Sequence, residues 1–235
     1  MILKSELLLN GAVLDEFDIL TWRHGQTVLG ADGRFAGSND TPLTEKGRAE
    51  ATQVAEVICH LPKEQWPQAL FKTKRERTRQ SAEPVKEMLA ERGHRIEILT
   101  APEFNERGLG EWEGQKKKEC PAGSDQTRGQ LYLTGVTPPG GQSAEAHIEQ
   151  ILQGLQKHET IFANKRCAIS WHGGCMRALL FLCGYDDQIE EIPNGQVFHF
   201  TRRCGGQAGV EVLQLAGGKI MKTTPYAMTT GVCRL

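Results

Sequence analysis

A chain of 235 residues with 28 basic and 29 acidic side chains and a formal net charge of −1 has room for one sizeable hydrophobic core. It carries no global field that would draw it to nucleic acid or an anionic membrane. The N-terminal stretch is too short and too charged for a secretory signal and no apolar run approaches a membrane span, so the expectation is a cytoplasmic protein without nucleic-acid or membrane partners. Seven scattered cysteines with no CxxC pair read as reduced, mostly buried small side chains, with neither a disulfide framework nor a zinc site.

Residues 1–16 read as an extension whose Leu7 to Leu9 cluster packs on the body or forms an edge strand, with Asn10-Gly11 as a turn. Ile19 to Trp22 is rich in strand formers and Gly25 breaks the run, which sets Arg23 and His24 where a strand gives way to a loop. In an open α/β sheet ligands bind at such ends, and an arginine fork beside an imidazole suits a phosphate. The polar, Gly-rich segment from Gly30 to Asp40 is long enough to fold back over a site. Thr44 then caps a helix carrying Ala49, Val54, Ala55, Val57 and Ile58, and Ala69 to Phe71 reads as a short buried strand. The basic run Lys72 to Gln80 reads as a solvated loop and helix start. Cations at a helix N-terminus oppose the helix dipole unless an anion is present, so one arginine of the run is expected to face inward.

A helix continues to Arg92, and Arg95 to Leu99 alternates like a strand. Glu103 to Gly114 is a glycine-punctuated acidic loop, and Lys116 to Lys118 reads as a solvated face. Ser143, after a Pro-Gly loop, caps a helix through Leu155. Arg166 to Trp171 is a second apolar strand closed by His172-Gly173-Gly174, and Cys175 to Cys183 continues as a helix. Backbone N–H groups at such a glycine turn favour an anion, which suits His172 and Gly173 to phosphate; Cys175 is not assigned a catalytic part. The remainder, around Gln196 to Phe200 and Val210 to Lys222, has hairpin character. The alternation implies one α/β domain over residues 17–235 with a largely parallel sheet.

Four pieces of the chain stand in the order of one family. Arg23-His24-Gly25-Gln26-Thr27 resembles the RHG signature of the histidine phosphatase superfamily, the group that includes cofactor-dependent phosphoglycerate mutase, fructose-2,6-bisphosphatase and α-ribazole phosphatase. Arg77-Thr78-Arg79-Gln80-Ser81-Ala82 resembles its second phosphate-binding segment, Glu106 with Gly110, Trp112, Glu113 and Gly114 the segment that supplies an acid, and His172-Gly173-Gly174 the second histidine. The resemblance runs from about residue 17 to about residue 200 and implies a single three-layer αβα domain, phosphoglycerate mutase-like. Departures are Gly30 where the family often has a phosphate-binding asparagine, Gln26 and Gln142 in place of glutamate, Thr73 in place of serine, and Trp171 in place of a small hydroxyl residue. The asparagine's contact is either missing or supplied by Ser38 or Asn39, and the departures read as changes of specificity.

The resemblance implies a phosphohistidine route without metal or other cofactor. His24 attacks phosphorus, Arg23, Arg77 and His172 hold the equatorial oxygens, and Glu106 donates the proton to the leaving group, with Glu103 and Glu113 as fallback acids. The expected activity is phosphomonoester hydrolysis of a small phosphorylated metabolite. The alternatives are mutase-type phosphoryl transfer, disfavoured because Pro138 to Ser143 runs straight into a helix where mutases carry a long insertion, and a phosphate-binding regulatory module without turnover.

Overall fold

A computed structural model describes residues 16–120, 136–183, 185, 192–202 and 208–224. The Leu7 to Leu9 cluster, the Asn10-Gly11 turn and most of the segment from Gln115 to Thr137 lie outside the described residues. In chain order the elements are β1 (Phe17–Arg23), α1 (Val28–Ala31), α2 (Glu45–Cys59), β2 (Ala69–Lys72), α3 (Glu76–Glu91), β3 (Glu97–Thr100), α4 (Ala144–Lys157), α5 (Glu159–Asn164), β4 (Cys167–Trp171), α6 (Gly173–Leu182), β5 (Val197–Arg202), β6 (Gly209–Ala216) and β7 (Lys219–Thr223). Among the described residues no helix is long and apolar enough to cross a membrane.

The seven strands form one sheet in the order β3-β2-β4-β1-β5-β6-β7. The first four of these are mutually parallel. Each later neighbour is antiparallel, so that five of the seven strands point the same way. Side chains alternate across a strand, and β1 divides accordingly: Phe17 and Ile19 join one core with Phe71, Ile169, Trp171, Ile148, Ile151 and Leu179, which belong to β2, β4, α4 and α6. Leu20 and Trp22 join the other, with Leu70, Ala168, Val54, Ile58, Val85 and Leu89 from β2, β4, α2 and α3. The result is a three-layer αβα sandwich. Helix starts follow the local chemistry: Thr44 Oγ1 accepts from Gly47 N at 3.0 Å and Ser143 Oγ from Ala146 N at 3.1 Å, each satisfying an orphan donor of the first turn.

Register fixes where the chemistry emerges. Arg23 pairs with Trp171 across β1 and β4, and Ser170 with Lys72 across β4 and β2. The residues that follow, His24, His172 and Thr73, therefore leave three adjacent parallel strands at one edge. Trp171 anchors the same edge from below, fully buried, its Nε1 donating to Phe104 O at 3.1 Å and its ring packed on that of Phe104 at 5.2 Å between centroids. Trp171→Ala is expected to lower unfolding stability by about 3–5 kcal/mol, measured by chemical denaturation.

Candidate active site

His24 is buried at 6% exposure. Its Nδ1 lies 2.8 Å from Gly25 O. A carbonyl only accepts, so Nδ1 carries the hydrogen and the Nε2 lone pair is left for chemistry. Burial, then the cations Arg77 and Arg23, push this imidazole well below the usual histidine range; it stays neutral, and nucleophilic, in mildly acidic solution. The turn beneath it allows no other residue: a Cβ on Gly25 would meet Gly47 O at 2.1 Å. Ser81, four residues along α3 from Arg77, accepts from Gly25 N at 3.0 Å and donates to Arg77 O at 2.8 Å, tying the loop that carries His24 to Arg77.

Arg77 is the member of the basic run that faces inward, and it is fully buried. Its Nε donates to His172 Nδ1 at 3.3 Å, Nη1 to Asn39 O at 2.7 Å and Nη2 to Gly37 O at 2.8 Å. A guanidinium has five N–H donors, so two remain for a ligand. His172, expected to hold a phosphate oxygen, is fully buried and outside the pocket lining, its ring centroid 5.4 Å from that of His24 and both its ring nitrogens bonded to protein. Its Nδ1 accepts from Arg77, so its Nε2 donates to Thr73 Oγ1 at 3.1 Å; that hydroxyl contacts Thr78 Oγ1 at 2.9 Å, which donates to Arg75 O at 2.8 Å. Arg23 Nη1 donates to Ile192 O at 2.9 Å, while Asn194 Nδ2 holds His24 O at 2.6 Å.

Among the described residues lining the pocket, Glu106 is the single carboxylate; Arg23, His24, Arg77, Gly173 and Gly174 line it too. Gly174 N, at the start of α6, donates to Glu106 Oε1 at 3.1 Å and Oε2 at 3.3 Å, and a Cβ on Gly174 would stand 2.3 Å from Oε1. The fallback acids lie elsewhere. Glu103 pairs with Lys157. Glu113 accepts from Ser38 N, Ser38 Oγ and Leu109 N, and although burial pushes its carboxyl up, these bonds outweigh it and hold the group below its usual value. Ser38 and Asn39 are exposed and outside the pocket lining: Ser38 spends its hydroxyl on Glu113, and Asn39 offers its backbone carbonyl to Arg77. Gly30 lines the pocket and donates its N–H to Thr27 Oγ1 at 3.1 Å.

The outer pocket was only partly foreseen. The Gly30 to Asp40 loop does cover it, because Phe35 N donates to Gln115 O, Gly114 N to Phe35 O and Lys117 N to Gly33 O. That pairing turns Lys117 into the pocket wall, where a solvated face was expected, with Arg34, Arg107 and Arg177 nearby and the stacked rings of Phe35 and Trp112. Arg177 had a sequence signal, being the sole charge in the apolar run from Cys175 to Cys183. Gln26 and Gln142 sit outside the lining: Gln26 Oε1 accepts from Thr44 Oγ1 and Gln142 Nε2 donates to Gln150 Oε1, both structural bonds.

Burial is the first cause that lowers each of His24, His147 and His172 below the ordinary value of 6.5. The unfolded chain binds protons below that value while the folded chain does not, so stability must fall as pH drops below about 6.5. The slope approaches ~1.4 kcal/mol per pH unit for a histidine that stays unprotonated throughout in the folded chain. Thermal melts are expected to shift down steadily between pH 7 and pH 5, and the His147→Phe variant to show a shallower decline.

The model of the histidine phosphatase superfamily (branch 1) matches residues 19–212. The 2,3-bisphosphoglycerate-dependent phosphoglycerate mutase 2 of Gloeobacter violaceus is 31% identical over 176 residues, covering 72% of this chain and 78% of its own. The metal-independent phosphoserine phosphatase of Arabidopsis thaliana is 27% identical, covering 69% and 66%. The crystal structure of phosphoglycerate mutase from Thermus thermophilus superposes with a TM-score of 0.59 at 27% identity, covering 79% of this chain and 95% of that one.

Proposed function

Because the chain belongs to the histidine phosphatase superfamily, branch 1, we propose that it is a metal-independent phosphomonoesterase acting on a small phosphorylated metabolite through a phosphohistidine on His24. The observation that carries this reading is the convergence, in one pocket, of a neutral His24 with free Nε2, the cations Arg23 and Arg77, and the carboxylate of Glu106. Nε2 attacks phosphorus while the P–O bond to the leaving group breaks, in line and on the opposite side. Arg23, the remaining Arg77 N–H groups and the Gly173 end of α6 stabilise the charge that spreads over the three equatorial oxygens. His172 holds the Arg77 guanidinium edge-on through its Nδ1. Glu106 gives its proton to the departing oxygen, then takes one from the water that cleaves the P–N bond and releases inorganic phosphate. Outside the phosphate position, Phe35, Trp112, Leu109 and Val136 offer an apolar wall rimmed by Arg34, Arg107, Lys117 and Arg177. Such a wall favours a compact leaving group that carries an apolar face and a further negative charge.

The 31% identical mutase relative favours a second reading, return of the phosphoryl group to product. One assay separates them. Incubation with p-nitrophenyl phosphate, with and without EDTA, is expected to release phosphate equally in both. Incubation with 3-phosphoglycerate and 2,3-bisphosphoglycerate is expected to yield free phosphate and little 2-phosphoglycerate. Rapid interconversion of the phosphoglycerates with negligible phosphate release would replace the hydrolase by the mutase, and activity lost to EDTA would overturn the metal-independent route.

A further inference from the structure

Directly behind Glu106, outside the machinery described above, α4 and α6 bring two buried side chains with metal-ligating atoms into contact. His147 and Cys175 are both fully buried, with Cys175 Sγ 3.6 Å from His147 Nε2. A Glu106 carboxylate oxygen, a His147 ring nitrogen and Sγ all lie within 4.8 Å of one another. Backbone carbonyls serve both groups at present: Sγ contacts Phe104 O and Asn105 O at 3.4 Å, and Nε2 lies 3.1 Å from Asn105 O. Neither side chain is needed for phosphoryl transfer as derived above.

We propose that Glu106, His147 and Cys175 form an inhibitory site for a borderline-soft divalent cation, zinc being the best match, which withdraws Glu106 from proton transfer when it binds. The inference rests on the hydrolase reading for its effect on turnover, but not for the binding itself. One oxygen, one nitrogen and one sulfur are a donor set for zinc rather than for magnesium or calcium. Zinc bonds of about 2.0–2.3 Å on a tetrahedral ion place ligand atoms roughly 3.3–3.7 Å apart. The sulfur–nitrogen distance already meets this, and Glu106 closes the rest by turning from the Gly174 and Arg107 amides that hold it. Glu106 lines the pocket, which supplies an entry path and leaves the fourth position to water. The proton balance is simple. The thiol hydrogen leaves for solvent as the zinc–thiolate bond forms, and the imidazole moves its hydrogen from Nε2 to Nδ1, remaining neutral.

The test uses the intact chain with Cys175→Val and His147→Phe, variants that fill the same space without a ligand atom. Equilibrium dialysis against Zn2+ is expected to show one equivalent bound by the wild type that each variant loses, with binding at least tenfold weaker. Co2+ is expected to give a thiolate charge-transfer absorption in the wild type that is absent from Cys175→Val, a readout that does not depend on turnover. Phosphatase activity of the wild type is expected to fall with the bound equivalent and to return with EDTA, while both variants keep their activity and resist zinc. Equal zinc binding by wild type and variants, which would place the metal on other cysteines, overturns the site. A bound equivalent that leaves turnover unchanged overturns its inhibitory role. A cobalt–thiolate band in a chain that hydrolyses nothing would sustain the site and remove only the hydrolase reading.

Discussion

Replacing His24 by alanine is expected to reduce phosphate release from p-nitrophenyl phosphate by about 10⁴-fold or more, the scale on which loss of a nucleophile is felt. The geometry makes the expectation specific. Gly25 O takes the Nδ1 hydrogen, so the ring presents a single reactive nitrogen, and burial with two flanking cations keeps that nitrogen unprotonated. Rapid quenching of the wild type in alkali should trap phosphate bound to protein in a form that acid releases, as a phosphoramidate requires, and His24→Ala should trap none. A folded variant is verified by its thermal melt. Because the truncation leaves space where the ring stood, added imidazole is expected to restore part of the activity, an effect that a purely structural role for His24 would not produce. Retained turnover in the folded variant, with the label still on the protein, would remove His24 from the reaction.

How far the site could be read in the sequence depended on whether a signal was local. The strand ends were: Ile19 to Trp22 and Arg166 to Trp171 are apolar runs cut off by glycine, and both histidines leave the sheet at the expected edge. The inward arginine was foreseen as a conflict of charge with the α3 dipole, and Arg77 resolves it by binding the carbonyls of Gly37 and Asn39 and the ring of His172. The contacts around these residues were not legible, because they join positions far apart in the chain. Ser38 reads as a free hydroxyl until Glu113, 75 residues away, is found to hold it, and Lys117 reads as solvated until the pairing of Arg34 with Lys116 folds that segment over the pocket. Ser81, one helical turn beyond Arg77 on α3, was within reach of a helical projection, whereas Thr73 precedes the helix; their partners, Gly25 and His172, were not legible. The β3 strand begins at Glu97, two residues later than its alternation implies, since it is the sheet's edge and pairs only with β2.

Glu106→Gln is expected to divide the reaction into its halves. Glutamine preserves the shape of the side chain and an acceptor for the Gly174 N–H, which now meets Oε1 at 3.1 Å, so the variant removes proton transfer and little else. Nitrophenolate leaves without needing a proton, so the first step, formation of phosphohistidine, should stay fast with p-nitrophenyl phosphate. Attack of water on the P–N bond still needs a base, so the variant should release one equivalent of nitrophenolate in a burst and then turn over about 10²- to 10⁴-fold more slowly than the wild type. With an alkyl phosphate the departing alkoxide must be protonated, both steps are slowed, and no burst should appear. Gly174→Ala is expected to give a milder version of the same pattern with the acid intact, because a Cβ 2.3 Å from Oε1 pushes the carboxylate from its place. Unchanged steady-state rates in Glu106→Gln, or equal losses on good and poor leaving groups with no burst on either, would take the proton transfers away from this residue. Glu103, bound to Lys157, and Glu113, committed to Ser38 and Leu109, offer no replacement within the pocket. Among the described residues a solvent-borne acid would then be left, and the rate on alkyl phosphates would depend on buffer concentration in the wild type as well as in the variant.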